Sequence, residues 1–398
     1  MTTTDVVRLN LKGYGLDAED RVFERTLPGE TVDLDGRILT PSAMRVKAPC
    51  RHFKACGGCT LQHASDDFVA NWKTDVILNG LSARGIETEV RPILTSPKNT
   101  RRRAVLHGKR TKKGVMIGFH AAGSDTLVDV PDCQLLDPAL MAGMPAYEAL
   151  TLFAASRKSE VSLVVTSSHA GLDIDVRGGK PIEDQELFML AKLADTHDLA
   201  RLTWEGETIA TRRPPVQSFG GTQVAPPPGA FLQATRHGQE ALTDCVNEVV
   251  NTAKSVVDLF AGCGTFSLPA ARTSEVWALE GENASIDALD AGWRMAEGLK
   301  RIRSETRDLF RRPVMAEELR KVDVAIIDPP RAGAEAQTTE LAQSKVPKIA
   351  AISCNPVTFA RDAAILQAGG YVLDWVQPVD QFRWSAHVEL AASFTKRR

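Results

Sequence analysis

Residues 256–271 read VVDLFAGCGTFSLPAA, and this stretch decides the fold. The β-branched, apolar run that reaches Asp258 favours a strand. The chain then turns through Gly262 and Gly264 and opens a helix at TFSLPAAR. Glycines at such a turn let the backbone approach a bound nucleotide closely. Phe260 stands inside the turn. Glu280 closes the next apolar run, EVWALE, 22 positions after Asp258. An acidic side chain there can take both ribose hydroxyls of a nucleotide. A glycine turn with a purely structural role is the competing reading.

The pattern D-x-x-x-G-x-G-T resembles motif I of class I S-adenosylmethionine methyltransferases, with Glu280 in register. Downstream, helix and strand alternate to the end of the chain: a helix over 284–299, strand VDVAIID, a helix over 335–343, strand KIAAISC, a helix over 357–368, then YVLDWVQPVD and HVELAASF. Repeated βα units imply a parallel sheet covered on both faces. In such sheets ligands bind at the carboxyl ends of the strands.

Two of those strand ends carry chemistry. Asp328 ends VDVAIID and is followed by Pro329-Pro330-Arg331, a stiff turn that holds an acid beside a flat base. Cys354 ends KIAAISC and is followed by Asn355-Pro356. A lone cysteine is usually inert core, but this one lies at the strand's mouth. Carbon 5 of uracil is a poor nucleophile. A thiolate added to carbon 6 gives carbon 5 carbanion character, carbon 5 takes the methyl group, a base removes its proton, and the thiolate leaves. Glu389, two residues after His387 in the last strand, can supply that base; a solvated strand-end charge is the alternative.

The motifs DLFAGCGTF, LEG, DPPRAGA, SCNPVTFARD and HVE, in this order, resemble the RNA uracil-5 methyltransferase family (the RumA/TrmA type). The likeness covers residues 231–398 and reaches upstream through FLQ (231–233), TRRRA (100–104) and CRHFKACGGCTLQH (50–63). It implies a Rossmann-like class I methyltransferase domain, with Cys354 as nucleophile and Glu389 as base. Asp328 would contact the uracil edge. Gln233, Asp258, Phe260, Gly262, Gly264, Glu280 and Asp328 would line the S-adenosyl-L-methionine site, and Phe231 would lie beside a flipped base.

Cys50, Cys56 and Cys59, with a distant Cys133, make four soft ligands. Their spacing suits zinc or an iron–sulfur cluster equally. CRHFKACGGCTLQH resembles the [4Fe–4S] segment of the ribosomal branch of the family, which implies a cluster with all four iron positions held by cysteine and 23S rRNA as the substrate. Cys245 is expected in a helix core, and Cys263 carries no assigned chemistry.

At 398 residues, two or three domains are expected. These are a shortened TRAM/OB-like β module over 1–47, a β-rich RNA-binding domain with the cysteine cluster over 48–230, and the methyltransferase domain over 231–398. A helix is expected over 64–85 and another over 184–196, with the remainder of 91–230 mostly strand. Net charge is −2, so any RNA surface must be local. TRRRAVLHGKRTKK supplies one, with Arg102 and Arg103 as RNA contacts and lysines on a hairpin. No apolar segment is long enough to span a membrane, and the N-terminus lacks a signal-peptide core. A cytoplasmic monomer is expected. Three other readings stand beside this one. The same chemistry on tRNA is the first. An amino-group nucleic-acid methyltransferase is suggested by the Asp-Pro-Pro turn, but Arg331 and Cys354 argue against it. A non-catalytic RNA-binding protein is opposed by the intact motifs.

Overall fold

A computed structural model describes residues 2–397. Its largest sheet has nine strands. Five parallel strands run in the order Ile302–Thr306, Glu275–Glu280, Ser255–Leu259, Val324–Ile327, Lys348–Ser353. Strand Glu389–Lys396 then enters antiparallel, paired to Lys348–Ser353 on one side and Tyr371–Asp380 on the other. This inversion has a functional consequence. Parallel strands expose their last residues at the carboxyl edge, and the antiparallel strand exposes its first, so Glu389 stands beside the end of Lys348–Ser353. Helices Ser267–Ala270, Asn283–Met295, Glu335–Gln343 and Pro356–Ala368 supply the crossovers. Apolar cores lie on both sheet faces, one around Val257, Ile327 and Phe359, the other around Leu242, Leu268 and Ile352.

The domain boundary expected near residue 230 is not respected by residues 66–95. Glu89–Val90 and Leu94–Thr95 pair in parallel with Tyr371–Asp380. Helix Asp66–Ser82, capped by Ser65, packs its Ile77 and Leu81 into the core that contains Phe359. The reason is burial: Tyr371–Asp380 would otherwise be a long sheet edge.

The central domain is a seven-stranded sheet, ordered Leu127–Asp129, Val115–His120, Arg103–Arg110, Glu160–Ser168, Gly171–Arg177, Arg201–Trp204, Glu207–Thr211. The expected hairpin over 104–120 and the helix Asp184–Thr196 are present. Helices Pro138–Ala142 and Met144–Ala154 are an addition to the expected strands. Asp137 caps Pro138–Ala142, and Tyr147, Leu150 and Ala154 recur at helical spacing against the sheet. The N-terminal strands form two small three-stranded sheets. Among the described residues no helix is long and apolar enough to cross a membrane.

Candidate active site

The glycine turn is built as its sequence suggests, with one added strain. Gly262 and Gly264 have φ of 53° and 91°, and a Cβ on Gly262 would meet nothing within 4 Å, so that face of the turn is open to a ligand. Phe260 also takes a positive φ, 64°. A non-glycine residue there costs about 1–2 kcal/mol, and such outliers gather at functional sites. Its ring lies 5.4 Å from that of Phe310, an exposed aromatic that the sequence did not single out.

Glu280 braces this turn: one oxygen accepts the Gly262 N–H at 3.1 Å and the other the Glu282 N–H at 3.0 Å. A carboxylate keeps further lone pairs for a ligand. Asp258 behaves differently from the expectation of direct cofactor contact. It is wholly buried and accepts the Ser267 hydroxyl, so its side chain holds the start of the helix rather than facing a ligand. Burial first, then the charge of Glu280, pushes its carboxyl up to about 7.

At the same edge Asp328, Cys354 and Glu389 converge. The Asp328 N–H donates to the Leu259 carbonyl at 3.2 Å, which ties the Asp-Pro-Pro turn to the cofactor strand. Asn355 caps helix Pro356–Ala368 and donates through Nδ2 to the Arg331 carbonyl at 3.1 Å, so the loops that follow Asp328 and Cys354 are bonded to each other. Glu389 is buried; burial lifts its carboxyl to about 7, against an opposing hydrogen bond from Gln381. Asp328 is held well above the usual carboxylate range by burial, then by the charges of Glu389 and Asp258. Burial raises the Cys354 thiol to about 11; Glu389 and Asp328 add to the rise and Arg331 opposes it.

Gln233 reaches this carboxylate group. Its Nε2 donates to Asp328 Oδ2 at 3.5 Å, and its Oε1 accepts from Gln381, the residue that also bonds Glu389. Gln381 went unnoticed in the sequence because it belongs to no motif. Its signal was positional: it follows Asp380 at a strand end that lies beside Glu389. Phe231 stands at the rim with 69% of its surface exposed.

The two arginines expected to contact RNA differ in exposure. Arg102 is 1% exposed and donates to the Gln233 carbonyl at 3.0 Å and to Gln239 Oε1 at 2.8 Å. It is a strut joining the central domain to the segment that carries Gln233. Arg103 is half-buried and donates to the Gly229 carbonyl at 3.1 Å. The exposed cations are Lys109, Arg110, Lys112 and Lys113, at the hairpin tip.

Cys50, Cys56, Cys59 and Cys133 line one cavity of about 290 Å³, together with Phe53, Phe119 and Arg101. Burial raises the Cys56 and Cys133 thiols and takes Cys59 to about 12, and the neighbouring sulfurs contribute further. Four such groups facing one cavity suit a cationic guest that would stabilise their thiolates.

An open α/β sheet with a glycine turn after its first strand, an acid closing the second and a cysteine–carboxylate pair at the same edge is the architecture of a class I methyltransferase. Residues 226–397 match the tRNA (Uracil-5-)-methyltransferase family. An uncharacterized RNA methyltransferase of Brucella suis biovar 1 is 43% identical over 94% of this chain and 92% of its own length. The 23S rRNA (uracil(1939)-C(5))-methyltransferase RlmD of Halomonas elongata is 32% identical over 94% of this chain and 84% of its own. The chain belongs to the RNA (uracil-5-)-methyltransferase family. The crystal structure of Pyrococcus abyssi tRNA (uracil-54, C5)-methyltransferase in complex with S-adenosyl-L-homocysteine shares the fold, with a TM-score of 0.78 at 22% identity over 98% of this chain and 99% of that one.

Proposed function

We propose that this protein transfers a methyl group from S-adenosyl-L-methionine to carbon 5 of a uridine in 23S rRNA. The observation that carries the reading is the convergence of Cys354, Asp328 and Glu389 at one sheet edge, beside the open glycine turn. S-adenosyl-L-methionine supplies an electrophilic methyl group, held by the turn at 262–264, Glu280 and Phe260. Cys354 forms a bond to carbon 6, and carbon 5 takes the methyl. The Glu389 carboxylate accepts the carbon-5 proton, and the carbon–sulfur bond breaks to restore the ring. Burial holds the Asp328 carboxyl well above the usual carboxylate range, and in its protonated form it can donate a hydrogen bond to a uracil carbonyl. The thiol must lose its proton to solvent before it attacks, and a protonated Asp328 beside it opposes that loss less than a charged one would. Phe231 offers a face on which a flipped base can stack.

Ribosomal rather than transfer RNA is favoured by the cysteine segment and by the 23S-specific relative. We assign Cys50, Cys56, Cys59 and Cys133 to a [4Fe–4S] cluster. Sulfurs bound to one zinc at about 2.3 Å would stand about 3.8 Å apart. Among the described residues the sole set of three ligand atoms within 4.8 Å of one another lies elsewhere, so these sulfurs are spread more widely than one ion needs. The N-terminal module and the hairpin cations would add grip on the RNA backbone.

The test is methyl transfer from labelled S-adenosyl-L-methionine into total RNA of cells lacking the protein, with RNA separated by size and digested to nucleosides. Labelled 5-methyluridine in large ribosomal RNA is expected. The same nucleoside in transfer RNA alone would overturn the substrate, and none in either fraction would overturn the chemistry.

A further inference from the structure

The chemistry above leaves one cluster of ligating side chains unused. His107, His120 and Glu160 come from three adjacent strands of the central sheet, Arg103–Arg110, Val115–His120 and Glu160–Ser168. His107 faces Gly118, two residues from His120, and Glu160 faces Lys109, two residues from His107. Side chains two apart in a strand share a face, so the register puts all three on one side of the sheet. His107 Nδ1 and His120 Nε2 lie 3.0 and 2.7 Å from the same atom, Glu160 Oε1. The imidazoles stack with centroids 4.1 Å apart. The three side chains are 23–30% exposed, so a small ion can reach them from water.

We propose that His107, His120 and Glu160 form a three-ligand site for a divalent ion of the zinc class, with the fourth position open to water. The donor set is the argument for the ion. Two imidazoles and one carboxylate suit zinc and its neighbours, whereas magnesium and calcium take oxygen ligands. The donors are gathered, and the stacked rings need only turn for both lone pairs to meet one ion. Ligand atoms about 2.05 Å from a tetrahedral ion stand about 3.3 Å apart; the two separations here, 3.0 and 2.7 Å, would have to open slightly to admit it. The ion would join three strands at the root of the hairpin that carries Lys109, Arg110, Lys112 and Lys113, and so hold those cations in one orientation. The site is separate from the four cysteines, although the His120 carbonyl accepts the Gly57 N–H at 2.9 Å and the two segments therefore touch.

The test is equilibrium dialysis of the full-length, cluster-loaded protein against zinc buffered at low micromolar free concentration, with zinc and iron per chain counted in the same sample. One zinc equivalent is expected to disappear in His107→Gln and in Glu160→Gln while iron is unchanged. The readout is this difference, whatever metal the cysteines hold. Zinc K-edge absorption of the parent protein gives a check that needs no variant: the hairpin-root ion should show a nitrogen–oxygen shell. Equal zinc in parent and variants, no bound zinc at all, or a shell of sulfur alone would each overturn the assignment and leave a triad joined only by hydrogen bonds.

Discussion

Glu389→Gln should raise stability and stop the reaction at once, and pH separates the two effects. Glu389 is 2% exposed, and its carboxyl is lifted from 4.5 to about 7, chiefly by burial. At 1.36 kcal/mol per pKa unit, keeping this site ionised costs the fold about 3 kcal/mol. The folded protein keeps a proton that the unfolded chain releases at pH 4.5. Stability from this group is therefore full below pH 4.5, falls between 4.5 and about 7, and stays low above. Glutamine has the same shape and no charge. The variant should gain up to about 3 kcal/mol at pH 8 but only about 1 kcal/mol at pH 5, read from urea unfolding at the two pH values. In the same variant the methylated carbon 5 would have no proton acceptor. The Cys354–carbon 6 bond should then persist, as a protein–RNA adduct that survives a denaturing gel. Equal gains at both pH values would refute burial as the source of the raised pKa. Normal turnover would refute Glu389 as the base.

Lys112→Ala with Lys113→Ala should weaken RNA binding and reduce the slope of log affinity against log salt by about 1–2, measured by filter binding, since both lysines are exposed. Arg102→Ala should instead destabilise the fold by about 3 kcal/mol, because it leaves the Gln233 carbonyl and Gln239 without their buried donor; a change confined to RNA affinity would restore Arg102 as an RNA contact. Lys73→Met should cost about 3–5 kcal/mol by stranding Asp380, its buried partner at 2.7 Å. Adding Asp380→Asn should recover most of that loss in the same chemical-denaturation assay.

In the parallel half of the large sheet three strands were legible because each ends on a residue with chemistry to declare, whereas the edge strand Ile302–Thr306 ends on none and was not anticipated. Glu280, Asp328 and Cys354 stop three apolar runs, and the runs stop where the sheet does. The joining of residues 66–95 to that sheet left no local trace, because a two-residue strand such as Glu89–Val90 is defined by its distant partner and not by its own pattern. Arg101, Arg102 and Arg103 show a different limit. A run of arginines has the same composition whether its guanidiniums meet phosphates or buried carbonyls. Only the tertiary partner decides, and for Arg102 the partners are Gln233 and Gln239. Gln381 was missed for the converse reason: its importance comes from bridging Gln233 and Glu389, which a motif search centred on reactive atoms does not see.

The loop 381–388 connects these observations. It runs from Gln381 to the residue before Glu389, so its position sets both Glu389 and the side chain that bonds it. Its anchors come from far away in sequence. The Lys73 ammonium reaches the Phe382 carbonyl at 3.2 Å, and Arg383 pairs with Asp66 and donates to the Ser96 carbonyl. Trp384, held at a positive φ of 62°, presents its carbonyl to the Thr60 and Leu61 N–H groups at 2.8 and 2.9 Å. Thr60 directly follows Cys59, and the Arg101 guanidinium beside the cysteine cavity lies 5.9 Å from the centre of the Phe382 ring. The segment that gathers the cysteines is thus bonded to the loop that leads into Glu389. A left-handed tryptophan is tolerated only where its surroundings over-determine it, and here two consecutive N–H groups of that segment do so. The cysteine segment accordingly helps to place Gln381 and Glu389 through backbone hydrogen bonds, with no need for its sulfurs to approach them.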